Sequence, residues 1–386
     1  MVRVTYPGVY IDELPAGVRR IDGVPTSTAA FVGDGRVGPC DQAIHVHALT
    51  EFQRVFGPVA QTDPMHLAVA LFFANGGRDA VIVRVDGDAD RERPAVRGLR
   101  ALDGVERFDI LCLPGLYADT PPTEVETIAA TLEAASGYCG RKGAILLIDP
   151  LPGWREAEDV VTGPSSIGVI TTTVQGENAA AFFPNLLVAT PTGPVACGPA
   201  GAIAGVIAKT DLERGLWKAP AGHGATIEGT VGPANAITAT EASALGVVGV
   251  NTIRQIPGAG IVPWGARLLA GATRSDPEWR YINIRRLLIF LEESIDKGLE
   301  WVVFEPNDEP LWASIRQSVA AFLMPLFRAG AFAGATPHEA YFVKCGPDTM
   351  TQDDIDNGRV NVVVGFAPLR PAEFVIFRIQ HHVGDE

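Results

Sequence analysis

Nowhere does the sequence run apolar for the roughly 18 residues that a membrane-spanning helix needs. The nearest approach, residues 200–208, is short, rich in Gly and Ala, and ends at Lys209. Direct membrane insertion is therefore not expected. The N-terminus also lacks the apolar core of a secretory signal and meets Pro7 and Gly8 almost at once, so synthesis in the cytoplasm is the expectation. The five cysteines, Cys40, Cys112, Cys139, Cys197 and Cys345, form no C-x-x-C pair and are odd in number. That argues against a disulfide framework and a zinc site alike. Basic residues number 31 against 45 acidic ones, a formal charge of −14, and the short clusters Arg19-Arg20, 91–93 and Arg285-Arg286 are interleaved with or followed by carboxylates. No basic stripe remains to bind nucleic acid.

Recognisable chemistry is scarce as well. The phosphate loop G-x-x-x-x-G-K and the nucleophile elbow G-x-S-x-G are missing. Gly33-Asp34-Gly35 and Gly258-Ala259-Gly260 read as turns, fragments of a G-x-G-x-x-G loop without the rest. His45 and His47 would share one face of a strand, and His381-His382 form a terminal pair, but neither pair has a third ligand at metal-site spacing. The carboxylates Glu292, Glu293, Asp353, Asp354 and Asp356 read as solvated surface. The sequence thus implies no cofactor, no metal and no catalytic residue, and points to structure or binding.

What is present is a large apolar content, 47% of 386 residues, enough for two or three compact units. Residues 2–22 alternate in short bursts broken by Pro7 and Pro15, which suits an edge strand. Apolar strands are expected within 26–33 and over 80–85, with helices between them over 50–56, capped by Thr50, and over 63–74. A shift to charge and Gly over 86–100 marks a candidate boundary. Strands at 108–113 and 144–148 around a helical pattern at 123–135 give a β-α-β signature. Residues 150–235 are rich in Pro and Gly, and no element can be placed there. Ile284, Leu287, Leu288, Leu291 and Ile295 recur at helical spacing between Asn283 as cap and Gly298 as stop. A strand at 301–304, a helix over 307–328 kinked by Pro325, and strands at 341–345, 360–366 and 374–379 complete the pattern.

At the front stand Tyr6-Pro-Gly-Val-Tyr-Ile-Asp-Glu13, Gly23-Val-Pro-Thr-Ser27 and Phe31-Val-Gly33. A long central signature runs from Pro199 to Ala221, followed by Gly249-Val-Asn-Thr-Ile-Arg254 and Trp264-Gly-Ala-Arg267. The C-terminal part adds Tyr281-Ile-Asn-Ile-Arg-Arg286, Trp301-Val-Val-Phe-Glu-Pro-Asn307, Gly358-Arg-Val-Asn361, Ala367-Pro368 and Pro371-Ala-Glu-Phe374. The order of these segments resembles the contractile tail sheath family of phages, R-type pyocins and extracellular injection systems, with residues 90–195 matching only loosely and Pro263 and Pro325 departing from the pattern.

The resemblance implies a mixed α/β (α+β) fold: a sheath-type body of residues 21–90 and 236–366, an inserted outer α/β domain over 91–235, and extended terminal β-arms at 1–20 and 367–386. It implies a structural subunit, not an enzyme, that polymerises as stacked hexameric rings around an inner tube in a phage tail or tail-like particle assembled in a bacterial or archaeal cytoplasm. Partners would be further copies of the chain, the inner tube protein, and baseplate and tail-terminator proteins. Intersubunit strand exchange would use Val2, Val4, Tyr6, Val9 and Ile11 at one end and Phe374, Val375, Ile376, Phe377 and Ile379 at the other. Arg280, Arg285 and Lys297 are candidate tube-facing charges. An arm of twenty residues reaches about 65 Å at roughly 3.3 Å per residue, enough to cross to a neighbour. Another tail or baseplate component, or a divergent α/β enzyme, are the competing readings.

Overall fold

The structure, a computed structural model, describes residues 19–60, 62–86, 94–117, 120–271 and 280–373. It is organised around apolar strands too continuous to leave a face in water. In chain order these are β1 (Ala29–Asp34), β2 (Ala43–Val46), β3 (Ala80–Val85), β4 (Ile110–Cys112), β5 (Ile145–Ile148), β6 (Ala179–Phe183), β7 (Leu186–Val188), β8 (Val195–Cys197), β9 (Gly232–Pro233), β10 (Val250–Ile256), β11 (Gly260–Trp264), β12 (Tyr341–Lys344) and β13 (Val363–Phe366). Eight of them form one sheet in the order β11-β10-β6-β5-β4-β1-β3-β2. The pairs from β10 through to β3 are parallel, and β11 and β2 join antiparallel at the two edges.

Alternation divides each strand between two cores. Phe31, Ile82, Ile110, Ile145, Leu147 and Phe182 belong to one, which takes in helices α1 (Leu49–Phe56) and α2 (Pro64–Ala74). Val32, Val83, Leu111, Leu146, Ile148 and Phe183 belong to the other, with α3 (Pro94–Ala101), α4 (Val125–Lys142), α5 (Ala157–Thr162) and α6 (Ile167–Ile170). A sheet covered on both faces is what near-continuous Val/Ile/Leu strands require. The apolar run at 200–208 lies in α7 (Ala200–Arg214), and every residue of it is buried. It lies so close to α2 that a Cβ on Gly201 or Gly205 would fall 2.2 Å from the Ala68 carbonyl oxygen and 2.5 Å from that of Phe72, respectively.

The described chain forms two compact units. One takes in 19–23 and 292–367, the other the described residues of 24–291 and 368–373. The second holds the large sheet, the small sheet β8-β7-β9 and α8 (Ala239–Val247). The first holds α10 (Glu309–Arg328), α11 (Pro337–Ala340), the two-stranded sheet β12-β13 and α12 (Gln352–Asp356). Helix α9 (Ile282–Gly298) contributes residues to both. This division differs from the expected one. β1 pairs with β4 and β6 with β10, so the lines drawn at 90/91 and 235/236 fall within one sheet, and the charged stretch 86–100 leads from β3 into α3 and not into a separate domain.

Local expectations differ at three other points. The N-cap of α1 is Ala48, without a side-chain bond, while Glu51 accepts from the His47 amide. Asn283 lies inside α9, and its amide donates to the carbonyls of Trp217 and Leu369. Residues 301–304 are not a strand: a 3-10 turn covers Glu300–Val302, and Phe304 follows at φ 72°, fully exposed. Val302 and Val303 have high β-propensity, but propensity without a partner strand gives no ladder.

Candidate assembly site

Doubly wound sheets bind ligands in the crevice where strand order reverses. Here that point lies between β1 and β4, and Gly33-Asp-Gly-Arg-Val-Gly38, immediately after β1, spells a full G-x-G-x-x-G, a pattern that reading Gly33 to Gly35 as a turn passes over. The geometry is not that of a phosphate loop. No helix opens at Gly38, and the carbonyls of Gly35 and Gly38 accept from Arg84 Nη1 and Nε at 2.7 and 3.0 Å. A Cβ on Gly33 would fall 3.0 Å from Met65 Cβ and from the Pro114 carbonyl, so side chain and backbone already fill the crevice. Two cavities among the described residues measure about 10 and 20 Å³, room for a water or two. Among the described residues no cluster of His, Cys, Asp and Glu could hold a metal.

The organised polar chemistry lies instead where the two terminal segments join the body. At the N-terminal side the Arg19 guanidinium stacks 4.2 Å from the Trp301 ring and pairs with Glu305 at 4.0 Å, and Ile21 is buried. A few residues further on, 25–28 are gripped by charges from separate elements. Arg286 on α9 donates to both oxygens of Asp211 on α7, at 2.8 and 2.6 Å, and to the Thr26 carbonyl. The Thr26 hydroxyl donates to Asp211 at 2.9 Å. Arg107 donates to the Pro25 carbonyl at 2.9 Å and pairs with Asp109 at 2.5 Å, while Asp109 accepts from the Thr28 amide at 2.9 Å. Burial pushes the Asp109 carboxyl up to about 6 even though Arg107, Arg286 and the Thr28 amide all favour its charged form. Arg286 and Asp211 are 5 and 8% exposed, and breaking such a buried pair costs about 3–5 kcal/mol.

At the C-terminal side Glu373 places its two oxygens on Arg267 Nε and Nη2, at 2.8 and 2.6 Å, and accepts from the Tyr281 hydroxyl at 2.9 Å. Arg267 is itself held, Nη1 on the Gly246 carbonyl at 2.6 Å and its amide on Asn251 Oδ1 at 2.7 Å. Burial works to raise the Glu373 carboxyl, but the bonds from Arg267 and Tyr281 outweigh it and lower it. At 18 and 22% side-chain exposure this pair is worth nearer the 1 kcal/mol of surface pairs.

Val2, Val4, Tyr6, Val9 and Ile11, and Phe374, Val375, Ile376, Phe377 and Ile379, lie outside the described residues. The three candidate tube-facing cations differ in exposure. Arg280 is half-buried and hydrogen-bonds Tyr281, Arg285 is half-buried and donates to Asn178 at 3.1 Å, and Lys297 is exposed in the last turn of α9. Sequence reasoning missed Asp211, Arg286 and Arg267 as a group, because ion pairs that link residues 75 and 106 positions apart leave no local spacing.

The small sheet β12-β13 has the clearest assembly geometry. Tyr341 pairs with Phe366 and Phe342 with Gly365, and each strand has one outer edge with no neighbour among the described residues. The Phe342 ring lies over Gly365, where a Cβ would come within 2.2 Å of it, and Phe342 and Val363 are 50 and 44% exposed. Residues 94–267 match the phage tail sheath protein central domain, and residues 274–382 the phage tail sheath C-terminal domain. The chain superimposes on the contracted helical sheath of the anti-feeding prophage with a TM-score of 0.77 at 30% identity, over 98% of this chain and 99% of that one. The chain belongs to the contractile tail sheath family. The contracted sheath complex of an extracellular contractile injection system, PVC, gives a TM-score of 0.77 at 26% identity over 99% of both chains. The tail sheath protein of Vibrio phage KVP40 is 32% identical over 125 residues, which is 32% of this chain but only 18% of that protein. These matches are to structural sheath proteins, not enzymes.

Proposed function

We propose that this sheath subunit polymerises as stacked hexameric rings around an inner tube, and that the lattice shortens to drive the tube through a target envelope. The observation that carries the reading is β12-β13 with its two open edges. A two-stranded ribbon is marginal alone, and unpaired strand edges invite pairing with another chain. The apolar segments at 2–11 and 374–379 supply strands for those edges when they come from neighbouring copies, a strand augmentation repeated through the lattice. Head-to-tail contacts of this kind do not close into a dimer and so generate rings and helical filaments. The residues that take part are Val2, Val4, Tyr6, Val9 and Ile11 with Phe374, Val375, Ile376, Phe377 and Ile379. The inner tube, baseplate and tail-terminator proteins are the further partners, met in a bacterial or archaeal cytoplasm during assembly.

Of the three cations proposed to face the tube, Lys297 carries that part of the reading, since it is exposed whereas Arg280 and Arg285 are half-buried. Electron microscopy of the full chain co-expressed with its tube protein, beside chains lacking 1–19 or 372–386, tests the proposal. Cylinders from the full chain and soluble folded subunits from both truncations support it. Normal cylinders from either truncated chain would refute arm exchange.

A further inference from the structure

The two terminal segments are secured by opposite kinds of contact. At 25–28 the grip is buried: Arg286 and Asp211 are 5 and 8% exposed, and Arg107 and Asp109 are 15 and 6% exposed. At 368–373 no residue is buried. The latter segment is tied by Glu373 to Arg267 and Tyr281, and by the Leu369 carbonyl to Asn283 Nδ2 at 3.2 Å, from a donor that also serves Trp217 at 2.8 Å. The receiving side is prebuilt. The Gly246 carbonyl holds Arg267 Nη1 and Asn251, which is 2% exposed, holds its backbone amide, through bonds that do not involve Glu373, so the residue keeps one anchor on its guanidinium and one on its backbone when the carboxylate leaves. A partly exposed carboxylate on a preorganised fork is a contact that opens and closes without disturbing the fold around it.

We propose that residues 368–373 are a releasable strap, latched by the Glu373 carboxylate on Arg267 and Tyr281, that gives chain to the C-terminal arm when the spacing between copies changes. The strap follows Ala367, which belongs with β13 in the other compact unit. Freeing its six residues lengthens the chain available beyond Ala367 by about 20 Å at roughly 3.3 Å per residue. The buried grip at 25–28 does not open under the same load, so the N-terminal join stays fixed while the C-terminal one yields. The inference rests on the arm-exchange reading, because a strap has slack to give only where the arm bridges copies.

Electron–electron distance measurement between spin labels at Ala372→Cys and Val247→Cys, both exposed and on the unit that carries the latch, reads the strap directly in a chain whose half-buried Cys40 is replaced by Ser. The distance is expected to be short and narrow in the unassembled chain and in one cylinder state, and longer by about 10–20 Å in the other. Glu373→Gln should broaden and lengthen it in the unassembled chain while the thermal midpoint falls by only about 1–2 °C, and Glu373→Asp should restore part of the short population. One short distance in both cylinder states would overturn the strap and leave the arm-exchange reading standing. A Glu373→Gln chain with an unchanged distance would remove the latch. Failure of the labelled parent to build cylinders, where the unlabelled chain also fails, would overturn the assembly reading and the strap with it.

Discussion

Arg286 and Asp211 meet through both terminal nitrogens of one and both oxygens of the other, at 2.8 and 2.6 Å, with Thr26 hydrogen-bonded to each of them. Because both are buried, the pair costs little while intact and much when halved. Asp211→Asn or Arg286→Met should each lower unfolding free energy by about 3–5 kcal/mol, while Arg286→Met with Asp211→Leu should recover most of the loss. Urea denaturation of the three variants checks this. Equal losses in the single and double variants would mean that the pair's worth lies in its hold on Thr26.

Asp149 is buried with the Ala200 amide as its described hydrogen-bond donor, and burial pushes its carboxyl up to about 6. Asp109 is raised to the same value. A raised carboxyl binds its proton more tightly in the folded chain than in the unfolded one. Its contribution is therefore fully present below about 3.8 and lost as pH rises through about 6. A rise from 3.8 to about 6 corresponds to at most about 3 kcal/mol per group. Lowering pH from about 7.5 to about 5.5 should raise the thermal midpoint, and Asp149→Asn, which keeps the acceptor for Ala200, should flatten that rise.

Gly201 and Gly205 bring α7 against α2 at distances that admit no Cβ, 2.2 Å from the Ala68 carbonyl and 2.5 Å from that of Phe72. Gly201→Ala should cost more than the usual roughly 1–3 kcal/mol of overpacking, since backbone has to move. Gly104→Ala, with nothing within 4 Å, is the control and should be near neutral in calorimetry.

Lys297 is exposed in the last turn of α9, unlike the half-buried Arg280 and Arg285. Lys297→Glu should reduce tube-templated assembly at low salt, with the difference shrinking as salt rises. Co-sedimentation with tube protein at two ionic strengths reads it, and unchanged assembly at low salt rejects this contact.

Much of the fold could be read in the sequence because its signals are local. The run at 80–85 is β3 to the residue, and Asp63 caps α2 by accepting from the amides of Met65 and His66. The helical pattern seen at 123–135 extends to Lys142, where Gly143 takes the left-handed conformation. What escaped was set by tertiary partners. Residues 150–235, too rich in Gly and Pro for a periodicity reading, hold a central strand, β6, and the buried helix α7, whose all-round burial erases the amphipathic period. Trp301 to Phe304 has strand composition without a strand to pair with among the described residues. The grip on 25–28 and the latch on Glu373 join residues far apart in the chain, so neither could be read from spacing.

The central claim is that the terminal strands of one copy pair with β12-β13 of another. Two populations, one carrying Phe377→Cys and the other Phe342→Cys, mixed before assembly and oxidised afterwards, test it most directly. Covalent dimers containing one chain of each kind, formed in cylinders and absent from the unassembled mixture, are the predicted result. Cross-links only between chains of the same kind, or none at all in well-formed cylinders, would contradict it.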